Sequence, residues 1–192
     1  MRLILGRIIF LRVIIIAKRA LPHKSLGIVM NNNLIESPSI SYLQKLSINF
    51  QLFTHTQPIH SLEEAAQQRS QNPEQVIRSI LFRLSNENFF MVLTPGPNQI
   101  PWKALRSYWQ QSRLTLASRE EVIAATGYEP GTVNPFGLDP AIPILIEDCI
   151  LSLDEISLGS GLRGTAIIMT PSELLRALPD AKTTNLDDSS TC

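Results

Sequence analysis

Residues 76–84 (VIRSILFRL) and 89–94 (FFMVLT) are two apolar, branched runs separated by little more than Asn86-Glu87-Asn88. No other stretch narrows the fold so much. Runs of this length, joined by a polar turn, form a β-hairpin. Side chains of a strand alternate between its faces, so Val76, Arg78, Ile80, Phe82 and Leu84 share one face. Four of those five are apolar and the fifth is a fixed cation. A guanidinium on a face bound for the core is costly unless an anion or several acceptors meet it. Arg78 is therefore either half of a buried ion pair, with a carboxylate such as Glu147 or Asp148, or the anion or carbonyl subsite of a cleft.

Around the hairpin the pattern mixes short helices and strands. Residues 38–48 place Ile40, Leu43 and Leu46 on one side of a helix, and 51–55 read as a strand. Ser61-Leu-Glu-Glu64, Ser118-Arg-Glu-Glu121 and Thr170-Pro-Ser-Glu173 each have the spacing of a capping box that opens a helix. Pro101 suits the first turn of a helix over 101–110. Residues 114–117, 142–147, 155–158 and 165–169 read as strands. The stretch 127–143 is dense in glycine and proline and predicts a shaped loop. Without a regular strand–helix–strand beat, the expected class is α+β with a largely antiparallel or mixed sheet.

The chain of 192 residues fits one domain with tails. Residues 38–179 hold the predicted elements. Residues 180–192 are polar and predict a disordered tail. Residues 1–35 are expected to be a disordered leader or a start-site artefact, since Met30 opens a polar run that suits a protein start. The apolar run 3–17 contains Arg7 and Arg12 and is shorter than the ~20 residues of a spanning helix. An attachment to membrane rests on that run alone, and membrane is not expected as a partner.

The formal net charge is zero, but six basic residues precede Lys45 and the first acidic one, Glu36. Removing those six from 17 leaves 11 basic against 17 acidic, so residues 25–192 carry −6. That balance argues against a broad duplex-DNA surface, because phosphate contacts need a basic face. It leaves room for a few local arginines to grip one nucleic-acid end. Cys149 and Cys192 lie in no zinc or redox spacing. Cys149 reads as a small core residue, and the compartment as the cytosol. His55 and His60 lack a third ligand, so no metal site is expected.

Two further features could face a ligand. One is the loop Thr126-Gly-Tyr-Glu-Pro-Gly-Thr-Val-Asn-Pro-Phe-Gly137, whose glycines allow backbone N–H groups to approach a ligand oxygen. The other is Gly159-Ser160-Gly161 with Arg163-Gly164, which lacks both the phosphate-loop lysine and the dinucleotide glycine spacing.

Taken in order, Asn72-Pro-Glu-Gln-Val-Ile-Arg-Ser-Ile-Leu-Phe82, Thr126-Gly-Tyr128, Gly131, Asn134-Pro-Phe-Gly137, Ile142-Pro-Ile-Leu-Ile146, Gly159-Ser-Gly161 and Thr170-Pro-Ser-Glu-Leu174 resemble the YbaK/EbsC family. That family includes the editing insertion of bacterial prolyl-tRNA synthetases and its free-standing relatives. The resemblance covers about residues 50–178. It implies a curved, barrel-like mixed sheet flanked by short helices. It also implies hydrolysis of amino acids wrongly attached to tRNA, commonly Cys or Ala on the proline tRNA. The implied partners are the tRNA acceptor end and prolyl-tRNA synthetase, with no cofactor. Where the family pattern has Lys-Thr-Leu this chain has Arg78-Ser79-Ile80, and arginine keeps the cation but cannot shuttle a proton.

In that chemistry water attacks the ester, and the carbonyl oxygen becomes negative in the transition state. Backbone N–H groups near Gly127 and Gly137 are expected to flank that oxygen. Arg78 would bind it or the adjacent phosphate, and Ser79 would help to place the water. Thr126, Tyr128, Gly131, Pro135, Phe136, Ser160 and Gly161 are the expected substrate contacts. The competing expectation is a catalytically silent domain that binds an aminoacyl-tRNA 3′ end or a protein.

Overall fold

The hairpin forms where the apolar runs place it. Strand β2 (Ile77–Leu84) and strand β3 (Phe89–Pro95) pair antiparallel, from Ile77 opposite Pro95 to Arg83 opposite Phe89. A computed structural model describes residues 37–186. Before the hairpin come helix α1 (Pro38–Lys45), strand β1 (Gln51–Thr54) and helix α2 (Leu62–Gln68). After it come α3 (Trp102–Tyr108), β4 (Leu114–Leu116), α4 (Arg119–Thr126), β5 (Ile144–Glu147), β6 (Ile156–Gly159), β7 (Thr165–Met169), α5 (Pro171–Ala177) and β8 (Lys182–Thr184). The class is α+β, and antiparallel pairs mix with the parallel pairs β3–β5 and β5–β8.

The strands form two sheets, β1-β7-β6 and β4-β2-β3-β5-β8. An isolated parallel bridge, Val76 to Ser157, links them at the start of β2. The expected single barrel-like sheet is thus replaced by two open ones. Alternation along β2 and β3 divides the core. Ile77, Leu81, Met91 and Leu93 join Ile156, Leu158, Ile167 and Met169 of the smaller sheet, closed off by Leu43, Val122 and Leu174 from α1, α4 and α5. Phe82, Phe90, Val92 and Leu145 point the other way, onto Leu105 and Trp102 of α3 and Trp109 just beyond it. With both faces covered, β2 and β3 read as almost unbroken apolar runs.

Local chemistry sets the helix ends. Ser118 and Glu121 make a complete capping box at α4. At α2 the Ser61 side chain accepts from Glu64 N, but Glu64 Oε2 accepts from His60 N rather than from Ser61 N. At α5 Thr170 caps Glu173 N, while Glu173 is drawn to Asn49 N and Arg176. Gly127, with φ +73°, stops α4 in the left-handed conformation that glycine adopts at low cost.

Two expectations need correction. Residues 182–184 are not a disordered tail: they form β8 on the free edge of β5, and Leu186 is buried against the α3 cluster. Their polar letters hide this because a short edge strand is held by backbone bonds rather than by its side chains. Cys149, read as a core residue, is only half-buried in the 3-10 turn Asp148–Ser152 and is not a free thiol. Among the described residues no helix is long and apolar enough to cross a membrane. Run 3–17 and residues 187–192 lie outside them.

Phe82 has no exposed surface, stacks on Phe90 at 5.2 Å between ring centroids and meets the edge of Trp102 at 5.5 Å. Phe82→Ala is expected to destabilise the fold by about 3–5 kcal/mol. Urea unfolding of both proteins would measure this, and a loss below about 1 kcal/mol would contradict the two-sided hairpin.

Candidate functional site

A cavity of about 770 Å³ opens at the start of β2, beside the bridge that joins the two sheets. Four segments wall it. They are the approach to α2 with Gln57–Leu62, the start of β2 with Arg78 and Ser79, the bend 131–133, and the turn between β6 and β7 with Arg163. Its lining includes Arg69, Arg78 and Arg163 and, among the described residues, no carboxylate. Low-dielectric walls carrying one sign of charge concentrate the field inside a cleft.

Arg78 enters from the central strand. Its Nη2 donates to Asn98 O, in a short contact, and to Pro95 O at 3.4 Å, while Nε has no hydrogen-bond partner among the described residues. Burial lowers its pKa, and the charge of buried Glu147 acts in the opposite direction. Arg78 therefore combines both readings of its position: a cleft residue within the field of Glu147. The Ser79 hydroxyl is buried on the cavity wall and also lacks a partner there. Buried polar groups are nearly always hydrogen-bonded, so these two atoms are exceptions at the start of β2.

The two glycine-rich loops dock on each other. Gly161 N donates to Thr132 O at 3.0 Å, and a Cβ at Gly161 would lie 2.6 Å from the Tyr128 ring. A Cβ at Gly159 would lie 2.8 Å from both Thr132 O and Val133 O. Only glycine admits this approach, which brings the bend to the cavity edge.

Of the expected site residues, the cavity unites Arg78, Ser79 and Gly131. The others hold the bend from behind. Thr126 Oγ1 donates to Val122 O and accepts from Tyr128 N, and Tyr128, itself buried, donates to Phe136 O. Phe136 has no exposed surface and belongs to the main core, and Pro135 is buried next to it. Gly127 faces open space, and Gly137 packs against Pro38 O and the Tyr42 Cβ. Ser160 O accepts from Ser37 and Ser39 of the α1 cap, and Gly161 supports Thr132. None of these eight lines the cavity.

The residue that sequence reading passed over is Arg69, just beyond α2. Its Nε and Nη2 reach His55 Nε2 at 3.1 and 2.9 Å, and Nη1 donates to Ser157 Oγ at 2.8 Å. Burial pushes its pKa down to about 10, so it remains charged at neutral pH. A signal existed: Leu62, Ala65, Ala66 and Arg69 share one helix face, and both alanines are buried.

The pKa of His55, the imidazole that meets Arg69, is lowered as well. Burial is the main cause of its lowered pKa; the Gln68 hydrogen bond opposes the shift and the charge of Arg69 adds to it. The unfolded chain takes up a proton near pH 6.5, where the folded protein still resists it. Stability from this source is complete above about pH 6.5 and is lost as pH falls from there through the folded pKa. Melting temperature is expected to drop as pH falls below about 6.5, with a shallower drop in His55→Gln. Equal slopes would dismiss His55 as the titrating group.

Residues 56–177 match the aminoacyl-tRNA editing domain family. Over 106 residues, 55% of this chain, the sequence is 31% identical to a proline–tRNA ligase of Bacillus licheniformis. Over 105 residues it is 28% identical to that of Staphylococcus saprophyticus. The chain spans 18% of the length of each. A crystal structure of a candidate trans-editing enzyme for prolyl tRNA synthetase superposes with a TM-score of 0.72 at 22% identity, over 79% of this chain and 96% of that one. This last likeness concerns the fold. The family match takes in more than half of the sequence, from the approach to α2 through the end of α5, and the chain belongs to the aminoacyl-tRNA editing domain family.

Proposed function

We propose that this chain is a trans-editing hydrolase that removes wrongly attached amino acids, of the Cys or Ala type, from the proline tRNA. The observation that carries the reading is the cavity itself. Three arginines and no carboxylate line it among the described residues, and an unpartnered serine hydroxyl lies beside the central arginine. Such a cavity suits a substrate that is anionic along its backbone and develops further negative charge during reaction.

In the proposed step, water adds to the ester carbonyl carbon. The carbonyl oxygen takes the negative charge, and collapse of the intermediate expels the ribose hydroxyl. Arg78 stabilises the oxygen, Ser79 orients the water, and the segment 131–133 faces the acyl group. Gly127 and Gly137 do not reach the cavity, so their expected role beside the carbonyl falls to that segment. Arg78 stays protonated and serves as an electrostatic group only. The neighbouring ribose hydroxyl of the substrate then assists proton transfer. Such a role belongs in the cytoplasm, alongside prolyl-tRNA synthetase. The relatives named above carry that ligase name, and the synthetase is the proposed partner.

One observation favours a silent, substrate-holding domain instead. Arg78 already spends Nη2 on two backbone carbonyls, which would fix it as a wall rather than a reacting group. Mischarged Cys- and Ala-tRNA for proline, offered to the parent, Arg78→Ala and Arg78→Lys, separate the two readings. The parent is expected to release the amino acid, Arg78→Ala to lose about 10²–10³ in rate, and Arg78→Lys to keep most of it. No release by any of the three would exclude the hydrolase.

A further inference from the structure

Arg69 has no part in the ester chemistry proposed above, yet it lines the same cavity. Its contacts hold it from behind with neutral groups only. His55 Nδ1 meets Gln68 Oε1 at 3.1 Å, which turns the Nε2 lone pair toward Arg69. Ser157, on the strand that bridges to Val76, takes the third contact. The guanidinium is thus immobilised without being neutralised, and no ion pair to a carboxylate joins it among the described residues. A desolvated cation with no counter-charge is costly, and an anionic ligand relieves that cost.

The kind of anion follows from shape and chemistry. A planar guanidinium matches a phosphate or carboxylate through paired N–H donors. In a Cys- or Ala-charged RNA end the amino-acid carboxyl is tied up as an ester and its amino group is cationic. Phosphodiesters are the anions that remain. Arg69 comes from the end of α2 and Arg78 from β2, so the cavity receives two cations from separate elements. One substrate can then engage both at different atoms.

We propose that Arg69 is a phosphodiester subsite that takes the internucleotide phosphate next to the terminal adenosine, leaving Arg78 for the ester carbonyl. The proposal rests on the editing reading for the identity of the nucleic acid, but its test contains no ester. Binding of adenosine, of cytidylyl-(3′→5′)-adenosine and of inorganic phosphate is measured by calorimetry on the full chain. The parent is expected to bind the dinucleotide at least about ten-fold more tightly than adenosine, the scale of one charge-assisted hydrogen bond. Arg69→Gln is expected to abolish that preference and Arg69→Lys to retain most of it.

A parent that shows no preference overturns the assignment, and so does a folded Arg69→Gln that keeps the preference. Inorganic phosphate bound as tightly as the dinucleotide would make this a free-phosphate site and overturn it equally. If Arg69→Gln does not fold, the Nε–Hε resonance of Arg69 in the parent decides, assigned through its absence in Arg69→Lys. The dinucleotide is expected to shift it, and an unmoved resonance refutes the subsite. Failure of deacylation with this preference intact removes the hydrolase and spares the subsite.

Discussion

The antiparallel ladder between β2 and β3 organises everything else. Each residue it fixes is assigned to one of two hydrophobic layers, so a slip of one position would exchange Phe82 and Phe90 with Leu81 and Met91 and empty both. The ladder is long, buried on both faces and anchored by aromatic stacking. It can therefore hold an arginine at its first turn, where a lone strand could not. The cavity opens where the start of the ladder meets the smaller sheet, beside the backbone bridge from Val76 to Ser157.

Electrostatics at that end run against the balance of the chain. Residues 25–192 are acidic overall, yet the cavity gathers cations and excludes carboxylates. Burial weakens the hydration of Arg69 and Arg78 alike and lowers both pKa values, but not enough to discharge either at neutral pH. Permanent charge in a partly dry cleft gives strong, short-ranged attraction for a polyanion. An acidic balance does not favour a broad surface for duplex nucleic acid. That contrast fits the proposed recognition of one end rather than of a long tract.

Much of this was legible in the letters. The hairpin, the three helix starts and the α+β class followed from periodicity and capping chemistry, because local rules decide them. Arg78 stood out because a cation interrupted an apolar face, and it does line the cleft. The same test on α2 would have found Arg69, since it continues the face of Ala65 and Ala66. What could not be read was which side of a loop faces the ligand. Tyr128, Phe136 and Gly137 are as motif-like as Gly131, but packing against α1 and the core turns them away. That choice depends on contacts between residues far apart in sequence, such as Gly159 with Thr132 and Val133, and no local pattern encodes them. Strand β8 escaped notice for a similar reason: its partner, not its composition, makes it a strand.

That last strand lies beyond residue 177, where the family match ends. A chain cut at that boundary would expose the hydrogen-bonding edge of β5, directly beneath buried Glu147. Bare edges of this kind recruit strands from other molecules. Three polar residues, Lys182 to Thr184, thus act as a selvedge for the larger sheet, covering an edge that residues 56–177 alone would leave bare.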